Sequence, residues 1–187
     1  MLSRLPSIYY IGMLEFSQDI ESLYVSYGKY HANRINQIIH VVFVPVIVCS
    51  AMSGMRHFPL GEETNSLLQA HFGLIPLLGM LGLYLYLDFL SGLISVVVYL
   101  GSYLAGNYLY SAAGTEHLQY VLIIQALGWG SQFVGHGVFE NRRPALMDNI
   151  LLTLAAPQFV IIECMFWLGY RPELYQRCKE RIKDKAN

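Results

Sequence analysis

The sequence is poor in charged side chains, above all in its middle part. Asp, Glu, Lys and Arg make up 13% of the 187 residues, whereas an ordinary soluble domain has about 25%. Lys and Arg are absent between Arg56 and Arg142, and the mean hydropathy of the chain is +0.40. Because so few charges cannot solubilise a surface, the composition excludes an ordinary soluble domain and predicts that this part of the chain lies in lipid.

Other absences restrict the function. Three cysteines are too few for a disulfide framework, and the N-terminus lacks the basic region, apolar run and cleavage site of a secretory signal. A formal net charge of -1 gives no reason to expect nucleic acid as a partner. We find no glycine-rich phosphate loop, no His-Glu-x-x-His motif, no repeated histidine boxes and no Gly-x-Ser-x-Gly elbow. A nucleotide cofactor is therefore not expected.

Long hydrophobic runs fill most of the chain. A membrane-crossing helix needs roughly 20 apolar residues to cover a hydrocarbon core about 30 Å thick. Four charge-free runs are near or above that length, namely 35–55, 64–87, 89–115 and 117–139. A fifth apolar segment, 149–170, is interrupted by Pro157 and Glu163. The pattern predicts an all-α fold, a polytopic membrane helical bundle with about four transmembrane helices.

Both ends of the chain are more polar. In residues 18–31 apolar side chains recur at helical spacing, which predicts an N-terminal amphipathic helix that lies at the membrane surface or caps the bundle. The tail that begins at Arg171 is polar and basic. We expect one membrane-embedded domain, 1–187, made of the amphipathic region 1–33, the helical bundle 34–170 and the tail 171–187.

Basic residues indicate the orientation in the membrane, since Lys and Arg accumulate on the cytosolic side of short loops. They precede the first run, follow the fourth as Arg142 and Arg143, and recur in the tail. If the fifth segment crossed the bilayer fully, the arginine pair and the tail would face opposite compartments. A re-entrant or interfacial fifth segment, bent at Pro157, places them on one side. This favours four crossings with both termini cytosolic.

The same topology sorts the histidines into two sets at opposite membrane faces. The first run begins near His40 and the fourth ends near His136, with two further crossing runs between these two runs, so both residues lie at one face. The predicted cytosolic set is His31, His40 and His136, and the other set is His57, His71 and His117.

The segment around His31 and His40 is the first candidate site. On a helix Asn33, Asn36 and His40 share one face, but His31 is about half a turn out of phase with His40. A break near Ala32, with Asn33 as the N-cap of the next helix, lets both histidines approach one point. Alternatively, the asparagines only cap and cross-link helices, and His40 is a hydrogen-bonded structural residue.

The second candidate site is a polar stripe in the fourth run. Gln132, His136 and Glu140 follow one another at i, i+4 spacing, and such polar groups face a cavity or a partner rather than lipid. Alternatively, Glu140 pairs with Arg142 or Arg143, and His136 bonds a backbone carbonyl. Two histidines and a carboxylate are the ligand set of a non-haem Fe(II) oxygenase, and Zn²⁺ accepts the same ligand types.

Both segments match the motifs of a known family. The first reads Tyr30-His31-x-Asn33-x-x-Asn36-x-x-x-His40 and continues with Phe-Val-Pro at 43–45. The second has Gly-Trp at 128–129, Gln-Phe-Val-Gly-His-Gly-Val-Phe-Glu at 132–140 and Arg-Arg-Pro-Ala-Leu at 142–146. From about Tyr27 to Tyr170 the chain resembles the fungal metal-dependent 2-hydroxy fatty acid dioxygenases, although the connecting runs match only in being hydrophobic.

This resemblance implies an enzyme of fatty acid α-oxidation in the endoplasmic reticulum membrane. A long-chain 2-hydroxy fatty acid, such as one that arises from phytosphingosine breakdown, is shortened by one carbon with Fe²⁺ and O₂, and CO₂ is released. The substrate loses four electrons and O₂ accepts four, so the reaction needs no NADPH, 2-oxoglutarate or reductase. Zinc is the less expected metal.

The resemblance also implies roles for the candidate residues. The implied catalytic metal ligands are His31, His40 and His136, with Glu140 as a fourth candidate. The residues implied to orient the imidazoles or to contact the substrate carboxylate are Asn33, Asn36 and Gln132. Arg142 or Arg143 would steer the acid head group towards the site.

Two other classes of protein remain open. In a membrane scaffold or lipid-handling protein, the polar stripe would only hold helices together. In a proton-coupled transporter, the histidine and glutamate would relay protons, but such proteins often have internally symmetric halves and this sequence shows no symmetry. Stoichiometric iron would exclude the scaffold.

Overall fold

The computed structural model describes residues 20–144 and 150–184. They form α1 (Ile20–Gly28), α2 (Arg34–Met55), α3 (Leu74–Leu87), α4 (Phe89–Ala113), α5 (His117–Val134), α6 (Ile150–Trp167) and α7 (Pro172–Asp184). A 3-10 turn, Gly114–Glu116, joins α4 to α5, and a π-helical turn, Gly135–Glu140, ends α5. These ranges contain no β-strand, so the all-α prediction is confirmed there. The first 19 residues of the amphipathic region, the end of the second motif and the end of the tail lie outside the described residues.

Helix α2 is central and packs against α4, α5 and α6. It runs parallel to α4, because Cys49 Sγ donates to Ser102 O at 3.5 Å and, one turn later, Ser53 Oγ donates to Gly106 O at 2.9 Å. Its contacts with α5 come in the reverse order: Ser53 with His117, Ile47 with Gln125, and Asn36 with Gly135. The chain therefore reverses direction between α4 and α5, at Gly114, whose φ is +56°.

The second charge-free run is helical over only part of its length. Helix α3 has 14 residues, which at 1.5 Å per residue is about 21 Å, shorter than a hydrocarbon core. The residues before it form a loop that includes an isolated antiparallel bridge between Pro59 and His71. Tyr103 and Asn107 of α4 donate hydrogen bonds to Gln69 O at 2.5 and 3.2 Å. Donors from α4 thus hold this stretch in a non-helical form.

The bend predicted at Pro157 is in the wrong place. Helix α6 continues through Pro157, and the chain bends by 116° between Leu152–Trp167 and Pro172–Lys183. A proline removes one backbone donor, in this helix the partner of Thr153 O, and weakens the helix around it. Here Tyr84 Oη donates to Leu154 O at 2.5 Å and Tyr99 Oη donates to Pro157 O at 2.8 Å. Donors from α3 and α4 therefore stabilise the helix at the proline.

Two helical stretches of the described chain are long and apolar enough to cross a membrane, Arg34–Met55 and Phe89–Glu140, with mean hydropathies of 2.1 and 1.7. The second of them contains the reversal at Gly114. The bent α6–α7 pair is a third candidate, as one broken span or a re-entrant loop. These helices agree with a membrane protein, but they do not confirm the number of four crossings.

Helix α1 caps one end of the bundle. It packs against α6 and α7, and Tyr24, Phe159 and Cys178 meet there in a buried cluster. Glu21 forms ion pairs with Arg177 at 3.2 Å and with Arg181 at 2.9 Å. The amphipathic helix therefore packs on the bundle and places the residues that follow it beside the start of α2.

Candidate metal centre

A break between α1 and α2 brings His31 and His40 together, as the sequence predicts. Helix α1 ends at Gly28, and α2 begins at Arg34 with Asn33 as its N-cap. The Asn33 backbone is extended, with φ -81° and ψ 130°, and its Oδ1 accepts a hydrogen bond from Ile35 N at 2.8 Å. The change of direction at the N-cap removes the phase difference that a straight helix would impose.

A π-helical turn presents His136 to the same point. It spans Gly135–Glu140 and ends at Asn141, whose φ of 52° is left-handed. A π-turn inserts an extra residue into the helical repeat and is frequent at functional sites. Gly135 contacts the side chain of Asn36 so closely that a Cβ at this position would overlap Asn36 Oδ1. The absence of a side chain at Gly135 thus lets α5 approach α2 beside the histidines.

The three imidazoles form one buried cluster. His31, His40 and His136 are 4%, 5% and 3% exposed, and one ligand nitrogen from each lies within 4.8 Å of the other two. The ring centroid of His31 is 4.3 Å from that of His40 and 4.9 Å from that of His136. The ring centroids of His40 and His136 are also 4.9 Å apart. These distances allow the three side chains to share one metal ion.

The backbone orients each imidazole. His31 Nδ1 donates to Tyr27 O at 2.8 Å, His40 Nδ1 donates to Asn36 O at 2.9 Å, and His136 is hydrogen-bonded to the backbone of Tyr30. The carbonyl acceptors assign the protons of His31 and His40 to Nδ1 and leave Nε2 with a free lone pair. Among the described residues His31 Nε2 and His136 Nδ1 are buried without a partner. Metal-ligating histidines are typically held in this way.

His31 is kept neutral by its surroundings. Burial, with a smaller contribution from the nearby His40, lowers the pKa of His31 well below its ordinary value. Its ring also stacks on Tyr27 at 3.8 Å, with 13° between the planes. A neutral imidazole with a free lone pair is the form that binds a metal.

Glu140 does not join the histidine cluster. Its Oε1 accepts hydrogen bonds from Asn33 N at 2.8 Å and from Asn36 Nδ2 at 3.0 Å. Asn36 Nδ2 also donates to Tyr30 O at 3.1 Å. Glu140 therefore connects the π-turn to the start of α2, next to two of the carbonyls that orient the histidines. Among the described residues no ion pair joins it to Arg142 or Arg143.

The predicted polar residues around the cluster occupy different places. Gln132 is buried and lies in the wall of a cavity that also contains the three histidines. Arg142 is exposed and donates from Nη1 to Lys29 O at 3.2 Å, so it ties the π-turn to the end of α1. Arg143 is exposed. In the part of the chain that the structure describes, neither arginine lines the cavity.

The cavity has a volume of about 220 Å³ and extends from the histidines between α2, α5 and α6. Its wall is apolar apart from the residues already described and Thr153. Val44, Ile47, Val48, Met80, Phe133 and Leu154 line it. Two further residues in the wall are Tyr27 and Trp129, to which the sequence patterns assign no role in the site. Both lie at helical spacing from a cluster histidine, four residues before His31 and seven before His136, which is the signal that could have identified them.

The other histidines lie at the far end of α2. His57 Nε2 is 3.0 Å from His117 Nδ1, and His71 stacks on Tyr103 with ring centroids 4.6 Å apart. Sixteen residues, the rest of α2 and its C-cap, lie between His40 and His57, and the 17 steps of about 1.5 Å correspond to about 25 Å of helix. The predicted division of the six histidines into two separate sets is therefore present in the structure.

A side chain at Gly135 is expected to disturb the cluster. Gly135→Ala would place a methyl group against Asn36 Oδ1, and overpacking of this kind costs about 1–3 kcal/mol. Gly137→Ala is the matched control, because a Cβ there meets nothing within 4 Å. Thermal unfolding in detergent should show a lower Tm for Gly135→Ala alone. Equal Tm values for the two variants would contradict the close approach of α5 to α2.

In its described residues the protein is all-helical, with helices long and apolar enough to cross a membrane and a buried three-histidine cluster at one end of an apolar cavity. The family model for 2-hydroxy-palmitic acid dioxygenase Mpo1-like proteins matches residues 17–167. The chain is 33% identical over 159 residues to the 2-hydroxy-palmitic acid dioxygenase MPO1 of Saccharomyces cerevisiae, which covers 83% of this chain and 85% of that protein. No solved structure was found to match. The chain therefore belongs to the Mpo1-like family, and the resemblance described for its motifs is confirmed.

Proposed function

We propose that this protein is an Fe(II)-dependent dioxygenase that converts a long-chain 2-hydroxy fatty acid and O₂ into the fatty acid one carbon shorter, CO₂ and water. The observation that carries the proposal is the cluster of three buried imidazoles at the end of an apolar cavity, two of which have a buried nitrogen without a partner in the described residues. Family membership supports the same reaction class. The substrate would derive from sphingoid base breakdown or fatty acid metabolism.

The donor set fits a metal ion. His31, His40 and His136 would hold it, because a buried imidazole nitrogen without a partner is costly unless a ligand satisfies it. Three neutral nitrogens leave further coordination positions open, which suits Fe(II) and, less well for an oxidation, Zn²⁺. When bound, Fe(II) supplies the redox chemistry with O₂ that the imidazoles alone lack.

The protein side chains would bind and orient the substrate. The acid head group lies at the histidines, and the alkyl chain lies along α2 between Val44 and Val48, where the cavity wall is apolar. Burying a methylene group contributes about 0.8 kcal/mol, so the wall supplies most of the affinity. The aliphatic and aromatic wall also excludes water from the reacting end. Arg142 and Arg143, which are exposed, would attract the carboxylate before it enters.

The membrane topology belongs to the same proposal. Helices α2, α3, α4 and α5 cross the bilayer, with the short α3 completed by the loop before it, and α6 is re-entrant. The opposite directions of α2 and α5 support this arrangement, because they place His40 and His136 at one face. With Arg142, Arg143 and the basic tail on the cytosolic side, both termini are cytosolic and the membrane is that of the endoplasmic reticulum.

Anaerobic purification with metal quantification, followed by addition of substrate and O₂, tests the function. We expect about one iron per chain and, from 2-hydroxyhexadecanoic acid, pentadecanoic acid in an amount equal to the O₂ consumed. If the protein contains iron at that occupancy but forms no pentadecanoic acid, the proposed enzymatic function is wrong. Protein without stoichiometric iron would favour the scaffold.

Glu140 is expected to position the cluster rather than bind the metal. Its Oε1 is occupied by two donors from the start of α2, and Glu140→Gln keeps an oxygen for one or both of them. We therefore expect this variant to retain iron while its turnover falls about 10- to 100-fold, as for other residues that orient a metal ligand. Metal content and kcat, measured on the same preparation, distinguish the two roles. Loss of iron from Glu140→Gln would make Glu140 a fourth ligand.

A further inference from the structure

Gln132 has an unsatisfied acceptor inside the cavity. The residue is 6% exposed and lies one helical turn before His136, in the same wall as the three imidazoles. Its Oε1 is buried and has no hydrogen-bond partner in the described ranges. Native proteins rarely leave a buried acceptor unpaired, because desolvation without a hydrogen bond is costly. The carbonyl oxygen of Gln132 is therefore a place where a ligand donor fits.

The neighbouring Ser131 favours one orientation of the Gln132 amide. Gln132 Nε2 donates to Ser131 Oγ across a long contact of 3.5 Å. Ser131 Oγ donates its own proton to Gly128 O at 2.7 Å, so it can only accept from Gln132. A flipped amide would direct its oxygen at the lone pairs of Ser131 Oγ, which is repulsive. The nitrogen therefore points to Ser131 and the oxygen remains unpaired.

Among the groups of a 2-hydroxy fatty acid, only one can satisfy this oxygen. An ionised carboxylate is an acceptor only, and the alkyl chain offers neither donor nor acceptor. The 2-hydroxyl group carries the donor. We propose that Gln132 Oε1 accepts a hydrogen bond from the substrate 2-hydroxyl and thereby selects 2-hydroxy acids over unsubstituted fatty acids. This assignment rests on the proposed function, and it places Gln132 on the hydroxyl rather than on the carboxylate.

The selection follows from an asymmetry in hydrogen bonding. A site built to bond a hydroxyl rejects the analogue that lacks it, since the buried protein group is then left unpaired. An unsatisfied buried acceptor costs about 1–3 kcal/mol, which converts to a preference of about 5- to 150-fold. Removing the acceptor removes the penalty, so an unsubstituted acid should bind at least as well as before.

Trp129 provides a binding signal that does not depend on turnover. It lines the same cavity, and the chain has two tryptophans, the other being Trp167. In a Trp167→Phe background the fluorescence of Trp129 reports occupancy of the cavity. Hexadecanoic acid and 2-hydroxyhexadecanoic acid, which have equal chain length, are titrated into the detergent-solubilised protein under anaerobic conditions. This gives one pair of Kd values with iron and one pair without it.

With Gln132 present, we expect 2-hydroxyhexadecanoic acid to bind about 5- to 150-fold more tightly than hexadecanoic acid. In Gln132→Leu and Gln132→Met, which keep the volume of the side chain, the two Kd values should agree within about twofold, with hexadecanoic acid bound undiminished as the control for folding. An unchanged preference would overturn the assignment. An equal loss of affinity for both acids would overturn the assignment as well, because Gln132 Oε1 would then accept a hydrogen bond from a water molecule or stabilise the fold.

Failure of this inference and failure of the proposed function are distinguishable. If the protein forms no shortened acid, the function fails whatever the ratio of Kd values. If it forms the shortened acid while the Gln132 variants keep the preference, only the role of Gln132 fails.

Discussion

His136→Ala is expected to abolish the formation of the shortened acid and to remove iron from the purified protein. His136 Nδ1 is one of the buried nitrogens without a partner, and its removal leaves two imidazoles where three converge. Losing a residue that only orients a ligand costs about 10- to 100-fold in metal affinity or activity. Losing a ligand itself should exceed that, so we expect a fall of more than about 100-fold in kcat/KM.

The six histidines provide a matched control for this variant. His57 is exposed and lies at the far end of α2 from the cluster. His57→Ala should therefore keep both iron and turnover, within about twofold, because surface substitutions have small effects. Circular dichroism and Tm would show that both variants are folded. A folded His136→Ala protein with full iron content would refute the three-histidine centre.

The arrangement of the histidines could be predicted from the sequence because it depends only on residue spacing along a helix and on the number of membrane crossings. Helical phase separates His31 from His40 on a straight helix, and Asn33 is a side chain that caps a new helix, so a break between them is the simple solution. An even number of crossings between His40 and His136 then places both at one face. Neither step needs any knowledge of packing.

The course of α6 and the position of Glu140 could not be predicted, because they depend on contacts between distant parts of the chain. Helix α6 continues through Pro157, and tyrosines from α3 and α4 donate hydrogen bonds to Leu154 O and Pro157 O beside it. The π-turn at Gly135–Glu140 leaves Glu140 directed at Asn33 and Asn36, where regular i, i+4 spacing predicted one polar stripe with Gln132 and His136. Such donors and turns are set by tertiary structure, and local periodicity does not contain them.

Val44→Trp is expected to block the cavity and prevent the turnover of long substrates. Val44 is 8% exposed, one turn beyond His40, and lines the path assigned to the alkyl chain. If the indole excludes about four methylene groups, the loss at about 0.8 kcal/mol each is roughly 3 kcal/mol. That corresponds to a fall of about 100-fold or more in kcat/KM for 2-hydroxyhexadecanoic acid. Iron should remain, because the cluster itself is unchanged.

Val42→Trp is the control that separates blockage from a general effect of a bulky side chain in α2. Val42 is 52% exposed and lies outside the cavity wall, two residues away on the same helix. Its indole would face lipid in the proposed topology and should leave kcat/KM within about twofold. If Val44→Trp keeps full turnover of the 16-carbon acid, the chain does not lie in this cavity. If both variants lose activity and iron together, the effect comes from α2 itself, and the proposed substrate path fails this test.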